Sequence, residues 1–427
     1  MMNIWLIKLE EPVPQDADYR PYRMGMLERE LVANGHSVVR WCSDLNHLTG
    51  LHRYGVTCSV KYSDRQQYEF INSGVKYKSA ISVGRIIDNF LIKLKIRKRA
   101  KELRAPDLIV CSMPTPALCK LAAVLAREYG IPLVLDCRDY WPEVILAEAK
   151  GWKALAARLL AFKMRRDLIF ACKQSHSFIG ITDFFTRHLL KHAGRHPTRF
   201  DVVFPLGFDS TAIICSEQNR QAAFGFWAAH GIALGKGQRV VYFAGRLNRT
   251  VYDAIEPVVQ AAQQLAEVNP DIVFVLCGSG SYQEAIKERF SCLSNVILPG
   301  EVDATFLKVL RDYSVAALQP IDRRIDYQNS YSNKFFEYLS SGLPIFSWLD
   351  GISGQKLVAE KCGYIYNSSA ELIEKMSMFF DDDDLQVEMS SRAKKLFARE
   401  FEAKTVYSGY ARHLDAVVEE SLSRTSN

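Results

Sequence analysis

Short runs of β-branched and apolar residues alternate along this chain with longer segments whose apolar positions recur every three or four residues. That alternation predicts parallel sheets covered by crossover helices, an α/β class. In the first half the expected strands are Ile4–Leu9, Ser37–Cys42, Asp107–Ser112, Pro132–Asp136, Ser177–Ile181 and Asp201–Phe204. Helices are expected between them, for example Arg23–Ala33, stopped by Asn34-Gly35, and Pro116–Tyr129, stopped by Gly130. The pattern pauses at Pro205-Leu206-Gly207-Phe208 and, after a polar stretch, restarts at Arg239. Second-half strands are expected at Val240–Ala244, Ile272–Cys277, Val296–Leu298, Val315–Leu318 and Pro344–Phe346, with a helix over Thr250–Ala262. The expected organisation is therefore one doubly wound domain over 1–206, a second over 207–402, and a final helix over 403–427 that crosses back onto the first. Two such domains facing each other would bring strand carboxyl ends and helix N-termini to a cleft suited to a phosphate-bearing ligand.

Composition narrows the class. With 427 residues, 48% of them hydrophobic and 24% charged, the chain is an average globular protein, which excludes disordered and collagen-like classes. No repeat suggests a solenoid, and no apolar run reaches the roughly 18 residues of a membrane span. The start at Met1-Met2-Asn3 does not read as a signal peptide. Ten cysteines form no CxxC pair and no Cys/His ligand set, so they are expected to be buried thiols in a reducing cytoplasm. The net charge of +6 is concentrated: between Arg85 and Arg104 eight basic residues face only Asp88 and Glu102, an excess as large as that of the whole chain.

In the second half, Phe243-Ala244-Gly245-Arg246-Leu247 ends a strand on a Gly-Arg pair. Glycine lets backbone approach a ligand, and arginine can clamp a diphosphate bidentately. Cys277-Gly278-Ser279-Gly280 starts like a dinucleotide fingerprint, but Gln283 occupies the third glycine position, which argues against a nicotinamide site. Gly278 and Gly280 are expected to make a tight turn, with Tyr242, along a base or ribose pocket. The most specific stretch is Ser330-Tyr-Ser-Asn-Lys-Phe-Phe-Glu-Tyr-Leu-Ser-Ser-Gly-Leu-Pro-Ile345. Here Ser332 or Asn333 caps a helix whose free N–H groups and dipole favour phosphate, Lys334 adds a full charge, and Glu337 can accept hydrogen bonds from a ribose diol.

This segment resembles the donor-site helix of family 4 glycosyltransferases, which have the GT-B fold of two facing Rossmann-like domains. The resemblance implies that Arg246 and Lys334 hold the donor diphosphate and that Glu337 is the second glutamate of the E-x7-E motif. The first falls at Asn329, as in the subgroup with an Asn-Lys-x-x-Glu-Tyr-Leu pattern, and the basic residue often found six after the arginine is Tyr252. In the first half, Glu11-Pro-Val-Pro14, Arg20, Arg23, Asn34-Gly35-His36 and Trp41-x-Ser43-x-x-x-His47 are similar to the bacterial surface-polysaccharide branch, as is Arg138-Asp139-Tyr-Trp-Pro142. Asp139 is the expected group to orient or deprotonate the acceptor hydroxyl. Arg138 is expected to support phosphate or sugar, with Glu11, Arg20, Arg23 and His47 as further acceptor-site candidates. Asp136 and Asp139 could alternatively cap a turn. His188, His192 and His196 are spaced by four, but Gly194 and Pro197 interrupt the helix and no carboxylate completes a set, so no metal and no other cofactor is expected.

Two basic stretches, Arg85–Arg104 and Lys153–Arg166 with the adjacent Trp152, interleave charge with apolar residues as interfacial helices on anionic lipid do. A solvated helix with one core-facing stripe explains the same residues. Stacking aromatics are scarce there, so nucleic acid is not an expected partner. The combined expectation is a retaining, metal-independent glycosyltransferase that takes a nucleotide-diphosphate sugar to a lipid-linked glycan in bacterial surface polysaccharide or lipopolysaccharide synthesis, cytoplasmic and peripheral on the inner membrane face. The alternatives are a nucleotide-sugar 2-epimerase of the same fold and a non-catalytic scaffold that binds nucleotide sugars.

Overall fold

The computed structural model describes residues 1–17, 19–47, 49–75, 83–148, 153–212 and 215–425. The chain divides into two compact units, Met1–Pro205 together with Val406–Asn427, and Leu206–Thr405. Both are α/β, each with a single large sheet of Rossmann-like winding.

The first unit contains β1 (Asn3–Ile7), β2 (Ser37–Ser43), β3 (Leu45–Asn46), β4 (Leu51–His52), β5 (Cys58–Ser63), β6 (Gln66–Ile71), β7 (Leu108–Ser112), β8 (Leu133–Cys137), β9 (Ser177–Gly180) and β10 (Val202–Val203). Eight of these form one sheet in the order β10-β9-β8-β7-β1-β2-β6-β5, while β3 and β4 make a separate small hairpin. The pairs are parallel except at the β5 edge. Strands β1, β7 and β8 are buried along their whole length, as a parallel sheet covered on both faces requires. The expectation of purely parallel sheets omits the β5–β6 hairpin. Its signal is local: the alternation in Cys58–Ile71 turns back at Ser63-Asp64-Arg65-Gln66.

The second unit contains β11 (Arg239–Ala244), β12 (Ile272–Cys277), β13 (Val296–Gly300), β14 (Ser314–Gln319), β15 (Ile345–Ser347) and β16 (Gly363–Ile365). They form one all-parallel sheet in the order β13-β12-β11-β14-β15-β16. The expected Thr250–Ala262 helix is two helices, Arg249–Tyr252 and Glu256–Val268. Pro257 lacks an N–H and is tolerated only in a first turn, so the chain starts a new helix there.

A buried ionic cluster ties the elements of the first unit together. Glu11, which follows β1, accepts hydrogen bonds from Arg138 Nη2 at 2.7 Å, Arg40 Nη2 at 3.2 Å and the Met24 backbone N–H at 3.0 Å. Arg40 also reaches Glu28 at 3.3 Å, and Glu28 accepts from the Tyr68 hydroxyl at 2.6 Å. A second buried pair, Arg23–Asp136 at 2.8 Å, joins the first helix to β8, and Arg23 donates to the Pro205 carbonyl at 2.8 Å. The Ala403–Thr425 helix closes over this pair: Tyr410 stacks on Phe204 with centroids 5.0 Å apart and lies 5.2 Å from the Arg23 guanidinium. His413 adds a contact to Ser177 at 3.0 Å.

Burial alone would raise the Glu11 carboxyl, but Arg138 and Arg40 together hold it below its ordinary value of 4.5. A carboxyl depressed by folding contributes stability above its unfolded-state value and loses it as pH falls through the lower folded-state value. Glu11→Gln is therefore expected to cost about 3 kcal/mol at neutral pH, because Arg138 loses its counter-charge and Arg40 keeps only Glu28. Urea unfolding should also show that wild type loses stability below pH 4.5 more steeply than the variant.

Candidate functional site

In the second unit, a cavity of about 210 Å³ opens where the carboxyl ends of β11 and β14 meet the start of the Asn333–Ser340 helix. Gly245, Arg246, Asn248 and Thr250 come from beyond β11, Leu318, Gln319 and Ile321 from the end of β14, and Ser332, Lys334 and Tyr338 from the helix and its cap. Tyr327 completes the wall. Ser332 caps the helix, its Oγ accepting from the Phe335 N–H at 3.3 Å. The Asn333 and Lys334 N–H groups, at the first helical positions, have no intrahelical acceptor and give that end a partial positive charge.

Arg246 is exposed, Lys334 is half-buried, and neither has a hydrogen-bond or ion-pair partner among the described residues. No carboxylate lines the cavity. Two full cations and a helix N-terminus therefore line one cavity without a counter-charge, an arrangement suited to an anion. At Gly245 an added Cβ would press on the Phe243 ring at 3.0 Å, while Lys334 Cε, at 3.5 Å, would be in ordinary contact. Tyr338 supports this strand end from below, its hydroxyl accepting from the Ala244 N–H at 3.2 Å.

Gly278 and Gly280 do not line the cavity. At Gly278, with φ +136°, an added Cβ would stand 1.8 Å from the Gly245 carbonyl oxygen, and at Gly280 one would stand 2.4 Å from that of Leu247. The two glycines let the β12 exit loop stack directly on the β11 exit loop, fixed by Gly245 N–H to Cys277 O and Leu247 N–H to Ser279 O, both 3.0 Å. Tyr242 is core rather than pocket lining: it is fully buried and packs edge-on against Tyr338. Glu337 and Asn329 also lie outside the lining. Glu337 is half-buried and paired with Arg311 at 3.3 Å, and Asn329 ends a short helix by donating to the Ile325 carbonyl at 2.8 Å.

In the first unit the nominated residues separate by burial. Glu11 and Arg23 are interior, 2% and 1% exposed, and all their described bonds are to the protein itself, so the expectation that they touch an acceptor is corrected: they brace the sheet. Arg138 is half-buried with its guanidinium on Glu11, and Arg20 is half-buried. Asp139 is different. It follows the carboxyl end of β8, is exposed, and its carboxylate has no hydrogen-bond partner among the described residues. The residue has exposed surface, yet protein atoms crowd its carboxyl, and this desolvation raises it above its ordinary 3.8, opposed by Lys8 and Arg138 and aided by Glu10 and Asp136.

His47 is exposed in the turn between β3 and β4. The histidine that is built in is His52, whose Nδ1 lies 2.9 Å from Oδ2 of the buried Asp44, with Asn72 Nδ2 at 2.6 Å from the same oxygen. His188 Nε2 lies 3.1 Å from the Trp141 carbonyl, and burial with the neighbouring His192 lowers its imidazole to about 4.

Comparison with known proteins places this geometry. The family described as Glycosyltransferase Family 4 matches residues 24–211, and the one described as Glycosyl transferases group 1 matches residues 238–382. The chain belongs to the family 4 type of glycosyltransferases. No curated protein matches it by sequence. Solved GT-B glycosyltransferases share its fold over nearly the whole length. Anabaena HepE in complex with UDP is 15% identical at a TM-score of 0.62, over 97% of this chain and 100% of that one. Sucrose-phosphate synthase from Thermosynechococcus elongatus is 12% identical at 0.67, over 98% and 100%. WaaG, a glycosyltransferase involved in lipopolysaccharide biosynthesis, is 15% identical at 0.62, over 96% and 98%.

Sequence reasoning missed several wall residues of this glycosyltransferase. Asn248 and Thr250 were reachable, since they follow Gly245-Arg246 directly, and Thr250 Oγ1 donates to Asn248 Oδ1 at 2.7 Å. Gln319 ends β14 at the same rim and is steadied by the Ser347 hydroxyl at 2.9 Å. The Asp44–His52–Asn72 cluster gave no spacing signal, because three separate segments supply it.

Two stability measurements check these assignments. Gly278→Ala is expected to cost about 2 kcal/mol or more in a thermal melt, since the added methyl cannot coexist with the Gly245 carbonyl. A carboxyl raised by folding, as in Asp139, contributes stability below its unfolded-state value and loses it as pH rises through the folded-state value. Asp139→Asn should therefore be more stable than wild type at neutral pH in urea unfolding, with the difference vanishing below pH 3.8.

Proposed function

We propose that this glycosyltransferase transfers a sugar, with retention of anomeric configuration and without a metal, from a nucleotide-diphosphate sugar to a lipid-linked glycan of a bacterial surface polysaccharide. In this reading it works as a peripheral protein at the cytoplasmic face of the membrane. The observation that carries the donor half is the acid-free cavity with Arg246, Lys334 and the helix start at Ser332-Asn333. Transfer releases a nucleoside diphosphate, and negative charge grows on its bridging oxygen as the glycosidic bond breaks. Prearranged cations and N–H groups stabilise that charge, the task a divalent metal performs in other transferases. Glu337, oriented by Arg311, accepts hydrogen bonds from the ribose diol. HepE, crystallised with UDP and with UDP-glucose, supports the donor class.

The acceptor half rests on Asp139, the exposed, unpartnered carboxylate that follows β8, where α/β sheets place ligands. A raised carboxyl is a better proton acceptor than an ordinary aspartate, so Asp139 orients the incoming hydroxyl and takes its proton. The branch resemblance in the first half and the fold shared with WaaG support a surface glycan as the acceptor.

Calorimetric titration with UDP, GDP and dTDP, each with and without EDTA, tests the donor site. One nucleotide diphosphate should bind regardless of EDTA, and Lys334→Ala and Arg246→Ala should each weaken it by roughly tenfold to a hundredfold, as loss of a charged hydrogen bond does. Binding that is unchanged in both variants, or that requires a divalent cation, would overturn this reading. Binding without sugar release from any nucleotide sugar would favour a scaffold.

A further inference from the structure

Two helices of the first unit, Val83–Ala100 and Lys153–Gln174, present matching outer faces. On the first, Ile87, Phe90 and Leu94 project at helical spacing, and on the second Leu155, Leu159 and Phe162 do the same. These six side chains are between 47% and 68% exposed, whereas large apolar side chains on a monomer surface are normally scattered singly. Trp152 lies outside the described residues.

The exposed charges that the two helices themselves carry are of one sign. The described exposed residues of the two helices include no acid, because the acids on them, Asp88 and Asp167, are buried. Asp167 is spent on Lys120 at 2.7 Å. Exposed cations alternate with the apolar groups: Lys98 on the first helix, and Arg158, Lys163 and Arg166 on the second. Both helices pack against the Pro116–Tyr129 helix, one on either side of it, so they stand on the same flank of the sheet, and the Lys93 ammonium lies 5.5 Å from the Phe90 ring centroid.

Other cations that the sequence places in the basic stretch are committed elsewhere. Arg97 pairs with Glu128 at 2.6 Å, Arg99 with Glu69 at 2.9 Å and also with Glu102, and Lys95 donates to the Asn72 carbonyl at 2.5 Å. The density of charge in Arg85–Arg104 therefore overstates what a partner meets, and the apolar stripes are what distinguishes this surface.

We infer that the paired outer faces of these helices form one membrane-inserting surface, with Phe90, Leu94, Leu159 and Phe162 entering the acyl boundary of an anionic bilayer and Lys98, Lys163 and Arg166 resting on its phosphates. An interfacial helix of this kind combines burial of apolar groups with attraction to anionic headgroups. No helix among the described residues is long and apolar enough to cross a membrane, so attachment is at the interface. The inference deepens the proposed peripheral reading by naming the lipid-facing residues, and it does not depend on which sugar is transferred.

Co-sedimentation of the full chain with vesicles tests it. Wild type should sediment with vesicles of equal parts phosphatidylcholine and phosphatidylglycerol and much less with phosphatidylcholine alone. The combined variant Phe90→Ser, Leu94→Ser, Leu159→Ser, Phe162→Ser should bind at least about tenfold more weakly. Lys98→Gln with Lys163→Gln and Arg166→Gln should abolish the preference for the anionic vesicles. Arg97→Gln, whose parent residue is already paired on the surface, should change binding less than about twofold. Thermal melts of every variant confirm folding. Wild type that ignores anionic vesicles, a serine variant that binds like wild type, or self-association by light scattering that the serine variant abolishes, each overturns the inference. UDP binding is measured on the same samples: its loss in wild type would remove the proposed transfer, while its persistence without vesicle binding would remove only this surface.

Discussion

A parallel sheet has all its carboxyl ends on one edge, and in the second unit all six strands obey that constraint. Every loop that leaves a strand toward the next helix is thereby crowded into the same rim. Crowding forces the β11 and β12 exit loops to stack, and they stack only because Gly278 and Gly280 lack side chains. That stacking holds Gly245 and Arg246 in place. The chemistry of the rim is thus a by-product of strand direction, made usable by glycine at the points of closest approach.

Uncompensated charge is the second feature of that rim. Two of the four arginines that the sequence offers as candidates are neutralised by a carboxylate, Arg23 by Asp136 and Arg138 by Glu11. Arg246 and Lys334 are not, and the cavity they line contains no acid. In the proposed reading, a donor diphosphate would supply the counter-charge that these two cations lack within the protein, and their attraction would grow as the leaving group gains charge.

The first unit solves an opposite problem. It buries several charges, and each is tolerated because it is paired within hydrogen-bonding distance. Glu11 sits between Arg138 and Arg40, and Arg23 lies on Asp136 beneath Tyr410. Such pairs fix register between distant segments more than they add net stability. With its interior committed in this way, the unit keeps an unpartnered carboxylate on Asp139, at the carboxyl end of its sheet, and an apolar, basic flank among its described surfaces.

The linear chain by itself carried the winding of both sheets, because apolar runs of strand length and amphipathic runs of helix length are set by local periodicity. Arg23–Ala33 and Pro116–Tyr129 end at Asn34-Gly35 and Gly130, the second starts on Pro116, and Ile272–Cys277 is continuous apolar sequence. The Gly-Arg pair at 245–246 and the Ser332–Lys334 helix start were legible for the same reason, each being a short contiguous signal. What contiguity does not encode is the pairing of charges between segments far apart. A glutamate in a Glu-Pro-Val-Pro run looks like a site residue until Arg138, 127 positions away, is found on it. Equally, a dense basic run looks like a binding surface until Glu128 and Glu69 are found holding part of it. Only the tertiary structure decided which charged residues are spent inside the fold and which remain for a ligand, because a charge is neutralised by proximity in space and not by distance along the chain.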